Sequence, residues 1–495
     1  MARIGPPLVF AEFDRRTHRL MRRAKIPGLS LGLMRRGVRV LARGYGFRDR
    51  AQRLPATART VYGIASMTKS FTALGILRLQ EDGALRVRDP VTRHLPEFHT
   101  PEPRRTGRIT LHHLLTHSSG LPPLPSIYYT SGRSIARDPP YDPKVARRVG
   151  VDPDHPPIDT YEGLMAYLAT ERYRLLGSPG QYFSYSNEGF GLLGAVIERA
   201  SGRTYESFLE EEICRPAGMR STTFDTGIMF RLPEVTTLYS PNWKRGKGPL
   251  VASQEWWEDT CLRAAGAIRT NVEDLLRYLE IYLRSGRVGR ERIVSAASLS
   301  EMLTPHIEIR PGLSYGYGIA VRPDYHGKLL AFHDGGLKGV SSEFAVVPRA
   351  GVGGAVLANA DLVPSGLALQ YGINELLGLD AKTQFVDTPE RGAPPPSLAE
   401  YGGWYCSGEG IWLQVTPRRD HLRFDYRGIE MTQRGLKLRP HGDDGFVLRQ
   451  GGQKSWRRFL RDRSGRVFAL HDGWRVVRKR DPRTLPRARW RRLVW

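Results

Sequence analysis

GIASMTKSF, residues 63 to 71, sets Ser66 and Lys69 three positions apart where an apolar helical pattern begins. Met67, Phe71, Leu74 and Leu77 fall on one face of the helix this predicts, and Gly83 offers its stop. The chain holds 11 lysines against 64 arginines, so where only positive charge is needed it uses arginine. Lys69 answers a different requirement. A guanidinium keeps its proton in proteins, whereas a desolvated amine can lose it and act as a base. Residues three apart on a helix project from neighbouring positions, so Lys69 can accept the proton of a Ser66 nucleophile. The positive end of the helix favours an alkoxide and disfavours a protonated amine, so both effects promote the same transfer. No other serine has a lysine three residues on. Taken alone, the pair reads equally well as a serine helix cap followed by a solvated lysine.

Two further stretches carry chemistry. SPGQYFSYSNEGFGLLGAVIERASG, residues 178 to 202, supplies Tyr185 and Asn187 directly before another apolar helical run. A phenol there can relay a proton and an amide can position lysine and substrate, while the plainer alternative is a turn and a helix cap. In FHDGGLKGVSS, residues 332 to 342, His333 ends a strand and Gly335 and Gly336 follow as a turn. Glycines let a substrate approach the backbone, so an N–H here can join that of Ser66 in an oxyanion hole, with His333 orienting substrate or assisting proton movement. A strand-end histidine before a tight turn is the alternative.

With 495 residues, 53 of them Gly and 35 Pro, the chain has an ordinary loop-rich globular composition and room for two or three domains. The net charge of +25 raises the question of an anionic partner. The arginines are spread along the chain, however, and aromatics do not interleave with a compact basic stripe, so no nucleic acid partner is expected. The one dense run, RKRDPRTLPRARWRRLVW at 478 to 495, reads as a solvated or frayed terminus. Cys214, Cys261 and Cys406 are odd in number and far apart, which points to reduced thiols rather than a disulfide framework. No segment approaches the roughly 20 apolar residues of a membrane span. A short apolar run near the start is broken by Glu12 and Asp14, so a cytoplasmic, soluble protein is the expectation.

An amphipathic helix near 8 to 24 precedes two strands around Arg35-Arg36-Gly37, and helical patterns dominate from Ser66 to about 285. Residues 121 to 158, rich in Pro, Asp, Tyr and Arg without clear periodicity, are a candidate lid. Strand character returns in SYGYGIAV, KLLAFHDG, SSEFAVVP and GGAVLANA, an antiparallel sheet that a helix at about 366 to 378 would cover. DTPERGAPPPS at 387 to 397 marks a composition break. Beyond it, IWLQVTP, HLRFDYRG, GFVLRQ and RVFALHDG alternate at the spacing of a small barrel or sandwich.

Together the three motifs resemble the serine β-lactamase and penicillin-recognising family, in particular its class C-like esterase and D-amino-acid peptidase branch. The resemblance covers roughly residues 10 to 375 and extends to KIPGLSLGLMRRGVRVLARGYGFRD, ITLHHLLTHSSGLP and VVPRAGVGGAVLANAD. It implies an α/β fold in which an antiparallel sheet flanked by helices packs with a helical subdomain. It also implies roles: Ser66 the nucleophile, Lys69 its base, Tyr185 the relay, Asn187 a positioning residue, His333 and Gly335 the third motif, and the amides of Ser66 and Gly336 the oxyanion hole. LAEYGGWYCSGEGIWLQV, at 398 to 415, resembles the entry to the lipocalin-like barrel found in some peptidase members. The organisation this predicts is a hydrolase domain over 1–385, a Pro-rich linker over 386–398 and a small all-β barrel with a basic tail over 399–495. The barrel is expected to limit access by substrate size without supplying a partner for Ser66.

The expected function is a serine hydrolase acting through an acyl-enzyme, without cofactor, on a small-molecule or peptide substrate: peptide amides, including those with D-amino acids, or small esters. A β-lactamase or acyltransferase with the same residues is the alternative. In penicillin-destroying members the third motif usually opens with lysine, and His333 stands there instead. A non-catalytic binding module on the same fold is the alternative from another class. His113 and His117, four apart, invite a zinc reading, but the glutamate of the zinc-peptidase motif is missing. Gly-x-Ser-x-Gly occurs once, at Gly28-Leu29-Ser30-Leu31-Gly32, but inside the first of the two expected strands rather than at a strand-to-helix turn, which argues against an ordinary α/β-hydrolase.

Overall fold

The computed structural model describes residues 10–138, 143–241, 250–428, 432–450 and 453–481. Nine antiparallel strands form the central sheet in the spatial order Ile307–Arg310, Leu313–Tyr315, Ala320–Arg322, Leu330–Leu337, Val340–Val347, Val352–Ala358, Gly28–Arg35, Val38–Asp49 and Leu54–Pro55. The turn between the first two strands of the chain is Arg36-Gly37, both at positive φ (52° and 78°), which suits the twist of a two-residue hairpin.

Side chains alternate across this sheet and divide the interior in two. Phe344 and Val346 face a core shared with the helix Val272–Leu283, whereas Ala345 and Val347 face one shared with Phe10–Ala24 and Gly366–Leu377. The strand Gly28–Arg35 needs glycine at 32 because Leu276 of the covering helix lies where a Cβ would point. On the first side a helical layer follows, in which Thr68–Glu81 and Asn187–Ser201 pack against each other.

Residues 121 to 158, the candidate lid, are not irregular throughout, and their Ile127 and Tyr128 line the cavity at Ser66. They hold three short helices, Ser126–Thr130, Gly132–Arg137 and Pro143–Val149, with residues 139–142 outside the described set. A buried ion pair pins the segment, Lys338 Nζ lying 2.9 Å from Asp138. Trp257 Nε1 donates to the same carboxylate at 2.9 Å.

Beyond the sheet, eight strands close a barrel: Gly403–Cys406, Trp412–Pro417, Leu422–Arg427, Thr432–Gly442, Gly445–Gln450, Gln453–Arg461, Val467–His471 and Val476–Arg480. Its interior is filled by Tyr401, Tyr405, Phe446, Phe459 and neighbouring aliphatics. Closure corrects one expectation: Arg478, Lys479 and Arg480, taken as the start of a solvated tail, pair with Cys406, Tyr405 and Trp404 in the strand that shuts the barrel. The rest of that basic run, from 482, lies outside the described residues. Among the described residues no helix is long and apolar enough to cross a membrane.

Candidate active site

Ser66 lies in a 3-10 turn, Ala65–Met67, that runs straight into the helix Thr68–Glu81. Ala65 has φ 45°, a conformation that favours glycine, so the backbone just before the serine is strained and held by its surroundings. Ile64 N donates to Ile268 O at 3.0 Å, and Ser342 Oγ donates to Ile64 O at 2.9 Å. The helix is buried on every side, not only on the expected apolar face, because it runs between the sheet and the helical layer. Its polar side chains are satisfied internally: Ser70 and Tyr278 hydroxyls meet at 2.7 Å, and Thr72 Oγ1 donates to Ala264 O at 2.7 Å.

Lys69 is fully buried, and burial pushes its amine well below the ordinary lysine range, with the Arg475 charge acting in the same direction. Nζ makes three contacts: Asn187 Oδ1 at 2.9 Å, Ala265 O at 2.8 Å and Ser66 Oγ at 3.2 Å. A neutral amine has two N–H groups and one lone pair. The two carbonyl oxygens take the two hydrogens, which leaves the lone pair directed at the serine hydroxyl. No carboxylate among the described residues touches this amine, although the charges of Glu188, Asp259 and Asp334 oppose loss of its proton from beyond contact.

Asn187 is the first residue of the helix Asn187–Ser201, and its amide is free for Lys69 because Ser186 does the capping, accepting from Gly189 N at 3.2 Å. Tyr185 is buried beside them, with the Lys69 amine 4.7 Å from its ring centre. Burial raises its phenol above the ordinary range, and nearby Ser66 opposes the rise. The phenol oxygen has no hydrogen-bond partner of good geometry among the described residues. His117, set aside above as a zinc ligand, is a support for this loop: its Nδ1 accepts from Ser186 N at 3.1 Å and its ring lies 4.1 Å from that of Tyr185. His113 likewise caps its own helix, its ring nitrogen paired with Thr110.

The third motif differs from its sequence reading. The strand does not end at His333 but continues to Leu337, and the turn falls at Lys338-Gly339. His333 is buried behind the cavity wall with both ring nitrogens engaged: Nδ1–H donates to Asp334 O at 2.6 Å and Nε2 accepts from Tyr315 Oη at 2.9 Å. Burial lowers its pKa to about 3, so it is neutral at physiological pH. Gly335 is required by contact, since a Cβ there would overlap the Ile64 carbonyl oxygen two residues before Ser66. Gly336 faces open space, where a Cβ would meet nothing within 4 Å. Ser66, Tyr185, Asn187 and Gly336 all line one cavity of about 600 Å³.

Sequence reasoning missed several neighbours. Asp259 and Asp334 line the cavity, and desolvation raises the carboxyl group of the half-buried Asp259. Glu188, next to Asn187, is buried against the hydroxyls of Ser126 and Ser186. The barrel reaches the site through the turn after Val467–His471. Trp474 O accepts from Tyr185 N at 2.9 Å, and the Arg475 guanidinium stands 5.0 Å from the Tyr185 ring while Glu409 pairs with it at 3.0 Å. The barrel was expected to supply no partner for Ser66, and what this turn contacts is Tyr185.

This geometry can be set beside known proteins. Protein flp of Staphylococcus aureus (strain MW2) is 26% identical over 341 residues, covering 68% of this chain and 61% of that protein, so the chain spans about three fifths of its length. Penicillin-binding protein 4* of Bacillus subtilis (strain 168) is 26% identical over 424 residues, covering 82% of this chain and 84% of its own. Among solved structures, the octameric penicillin-binding protein homologue from Pyrococcus abyssi superposes with a TM-score of 0.67 at 29% identity, over 92% of this chain and 97% of that one. The family model described as Beta-lactamase matches residues 13–376, the stretch that builds the sheet, the helical layer and the side of the cavity that carries Ser66, and the chain belongs to that family.

Proposed function

We propose that the protein is a serine hydrolase that works through an acyl-enzyme on peptide amides, including those with D-amino acids, or on small esters. The observation that carries this reading is the environment of Lys69: its buried Nζ lies 2.9 and 2.8 Å from two neutral acceptors, Asn187 Oδ1 and Ala265 O, and 3.2 Å from Ser66 Oγ, an arrangement in which a neutral amine can turn its lone pair to the serine. Ser66 Oγ attacks the substrate carbonyl as its proton passes to Lys69 Nζ, and the carbonyl oxygen gains charge opposite the amides of Ser66 and Gly336. Tyr185 relays the proton from the lysine to the leaving nitrogen or oxygen, the bond to it breaks, and Ser66 carries the acyl group. Water, deprotonated by the same pair, then releases the acid. Asn187 keeps the amine aligned, Gly335 lets the third strand approach the serine turn, and His333 braces that strand through Tyr315.

The neutral, internally bonded His333 is why amides and esters are favoured over β-lactams. It supplies no fixed charge for an antibiotic carboxylate. Residues 1–385 form the hydrolase unit in this reading, 386–398 the linker and 399–495 the barrel unit. The test is a screen of p-nitrophenyl esters, D- and L-amino-acid amides and a chromogenic cephalosporin, with fluorophosphonate labelling of the wild type and Ser66→Ala. Labelling at Ser66 and faster turnover of an ester or amide are expected. A wild type that hydrolyses cephalosporin faster than every ester and amide overturns the substrate assignment, and labelling that survives Ser66→Ala overturns the nucleophile.

A further inference from the structure

The cavity that begins at Ser66 does not end in the hydrolase core. Phe424, Leu436 and Leu448 form part of its wall, and the same three side chains belong to the apolar cluster inside the barrel. An eight-stranded barrel is just wide enough to be filled by its own side chains or to hold one small ligand. Here aromatic residues fill the interior around Tyr401 and Phe459, while the mouth stays continuous with the Ser66 cavity. Its orientation is fixed by hydrogen bonds to the hydrolase core. Val476 N donates to Ser184 Oγ at 3.3 Å, Gly408 N to Pro123 O at 3.0 Å and Arg478 Nη2 to Leu175 O at 2.8 Å.

Four charged side chains of the barrel line the cavity, Glu409, Arg457, Asp472 and Arg475, and Glu409 and Arg475 pair with each other. Arg457, on the strand Gln453–Arg461, lines the cavity. Its Nε is buried with no hydrogen-bond partner among the described residues, and its Nη1 reaches only the neighbouring Trp456 O at 3.0 Å. The nearby Asp472 is engaged in its own turn, accepting from Trp474 N and Arg475 N at 3.2 and 2.9 Å. A buried guanidinium with an unfilled donor is costly unless an acceptor, best an anionic one, completes it.

Resting on the reading of Ser66 as nucleophile, we propose that the barrel mouth is the far half of the substrate site, taking the apolar chain of an acyl substrate whose distal end is a carboxylate paired with Arg457. The near half acts on the carbonyl, and the mouth measures what extends from it. Cavities of this size, about 600 Å³, lie within the usual range for small-molecule sites.

Two measurements test this. In the first, p-nitrophenyl esters from acetyl to decanoyl are compared with the matching mono-esters of dicarboxylic acids. kcat/KM is expected to rise with chain length, and the ω-carboxylate to be preferred over the methyl-ended chain by about tenfold. Arg457→Met should erase that preference and Arg457→Lys restore part of it. Leu448→Trp should lower the ratio of long-chain to acetyl turnover, and Leu448→Ala should raise it for the longest chains. A flat chain-length profile, or a carboxylate preference that survives Arg457→Met, overturns the proposal. The second measurement is titration of Ser66→Ala with the mono-amide of nonanedioic acid. Saturable binding weakened about tenfold by Arg457→Met is expected. Absence of binding overturns the proposal even if Ser66 proves to be the nucleophile, whereas failure of fluorophosphonate labelling in the wild type would instead remove the catalytic reading on which it rests.

Discussion

Lys69 and Lys338 are both almost entirely shut off from solvent, at 0% and 2% exposure, yet they meet opposite surroundings. Lys338 Nζ has a carboxylate, Asp138, at 2.9 Å, and further acceptors in Ser253 Oγ and Glu255 O. Lys69 has only neutral oxygens in contact. Burial lowers the pKa of both amines; beside Lys338 the Asp138 carboxylate resists in direct contact, while at Lys69 the Arg475 charge adds to the fall and the charges of Glu188, Asp259 and Asp334 resist it from beyond contact. Burial alone therefore does not make a lysine a base. The choice of contacting oxygens does: a carboxylate holds an ammonium as a structural pin, and two carbonyls hold an amine as a proton acceptor.

The contrast can be broken most sharply by Lys69→Arg, which keeps the charge and removes the ability to accept a proton. kcat should fall by more than about 1,000-fold, and steady-state kinetics retaining a tenth of wild-type kcat would end the general-base role. Next comes Asp138→Asn, which strands the Lys338 ammonium. Urea unfolding should record a loss of about 3 kcal/mol, and a loss below about 1 kcal/mol would mean that the pair does not pin the 121–158 segment. A smaller effect is expected from Asn187→Asp, which gives Lys69 the kind of partner Lys338 has. The added carboxylate raises the amine pKa, so the acid limb of kcat/KM should move to higher pH. Activity at pH 7 should drop about tenfold and recover as pH rises; an acid limb that stays in place would contradict the assignment. Smallest is the stability change in Lys69→Met. The folded-state amine lies below its unfolded value, so between the two the unfolded chain binds the extra proton and wild-type stability rises with pH. Met should therefore stabilise by about 1 kcal/mol near neutrality, with the gain fading as pH approaches roughly 10.4. A gain that grows with pH would have the wrong sign.

The parts of the site that were legible in the sequence are those fixed by local spacing. Ser66 and Lys69 share a helix face, and Tyr185-x-Asn187 opens the next helix, so residue type and periodicity were enough to nominate them. Gly335 and Gly336 were legible as glycines but not as strand. A glycine pair reads as a turn, and only the packing of residue 335 against Ile64 explains why the strand passes through it. The barrel was half visible. Trp412–Pro417 and Val467–His471 are short runs rich in apolar residues, whereas Gln453–Arg461 is crowded with arginines on both faces, and Val476–Arg480 merges into a basic run whose pairing with Gly403–Cys406 is a long-range event. Asp259, Glu409 and Arg475 had no local signal, because what makes them part of the site is where distant segments meet.

The hydrogen bonds between the barrel and the tyrosine loop also bear on how the molecule is made. Val476 N and Ser184 Oγ are separated by 292 residues, and Trp474 completes the backbone of Tyr185 across a similar interval. A chain emerging from the ribosome in order can build its sheet, its helical layer and the Ser66 turn long before those partners exist. The relay loop acquires its last restraints only when the closing hairpin of the barrel docks. In order of synthesis, then, Ser66 and Lys69 have their neighbours first, and Tyr185 receives its last backbone partner, Trp474, at the end.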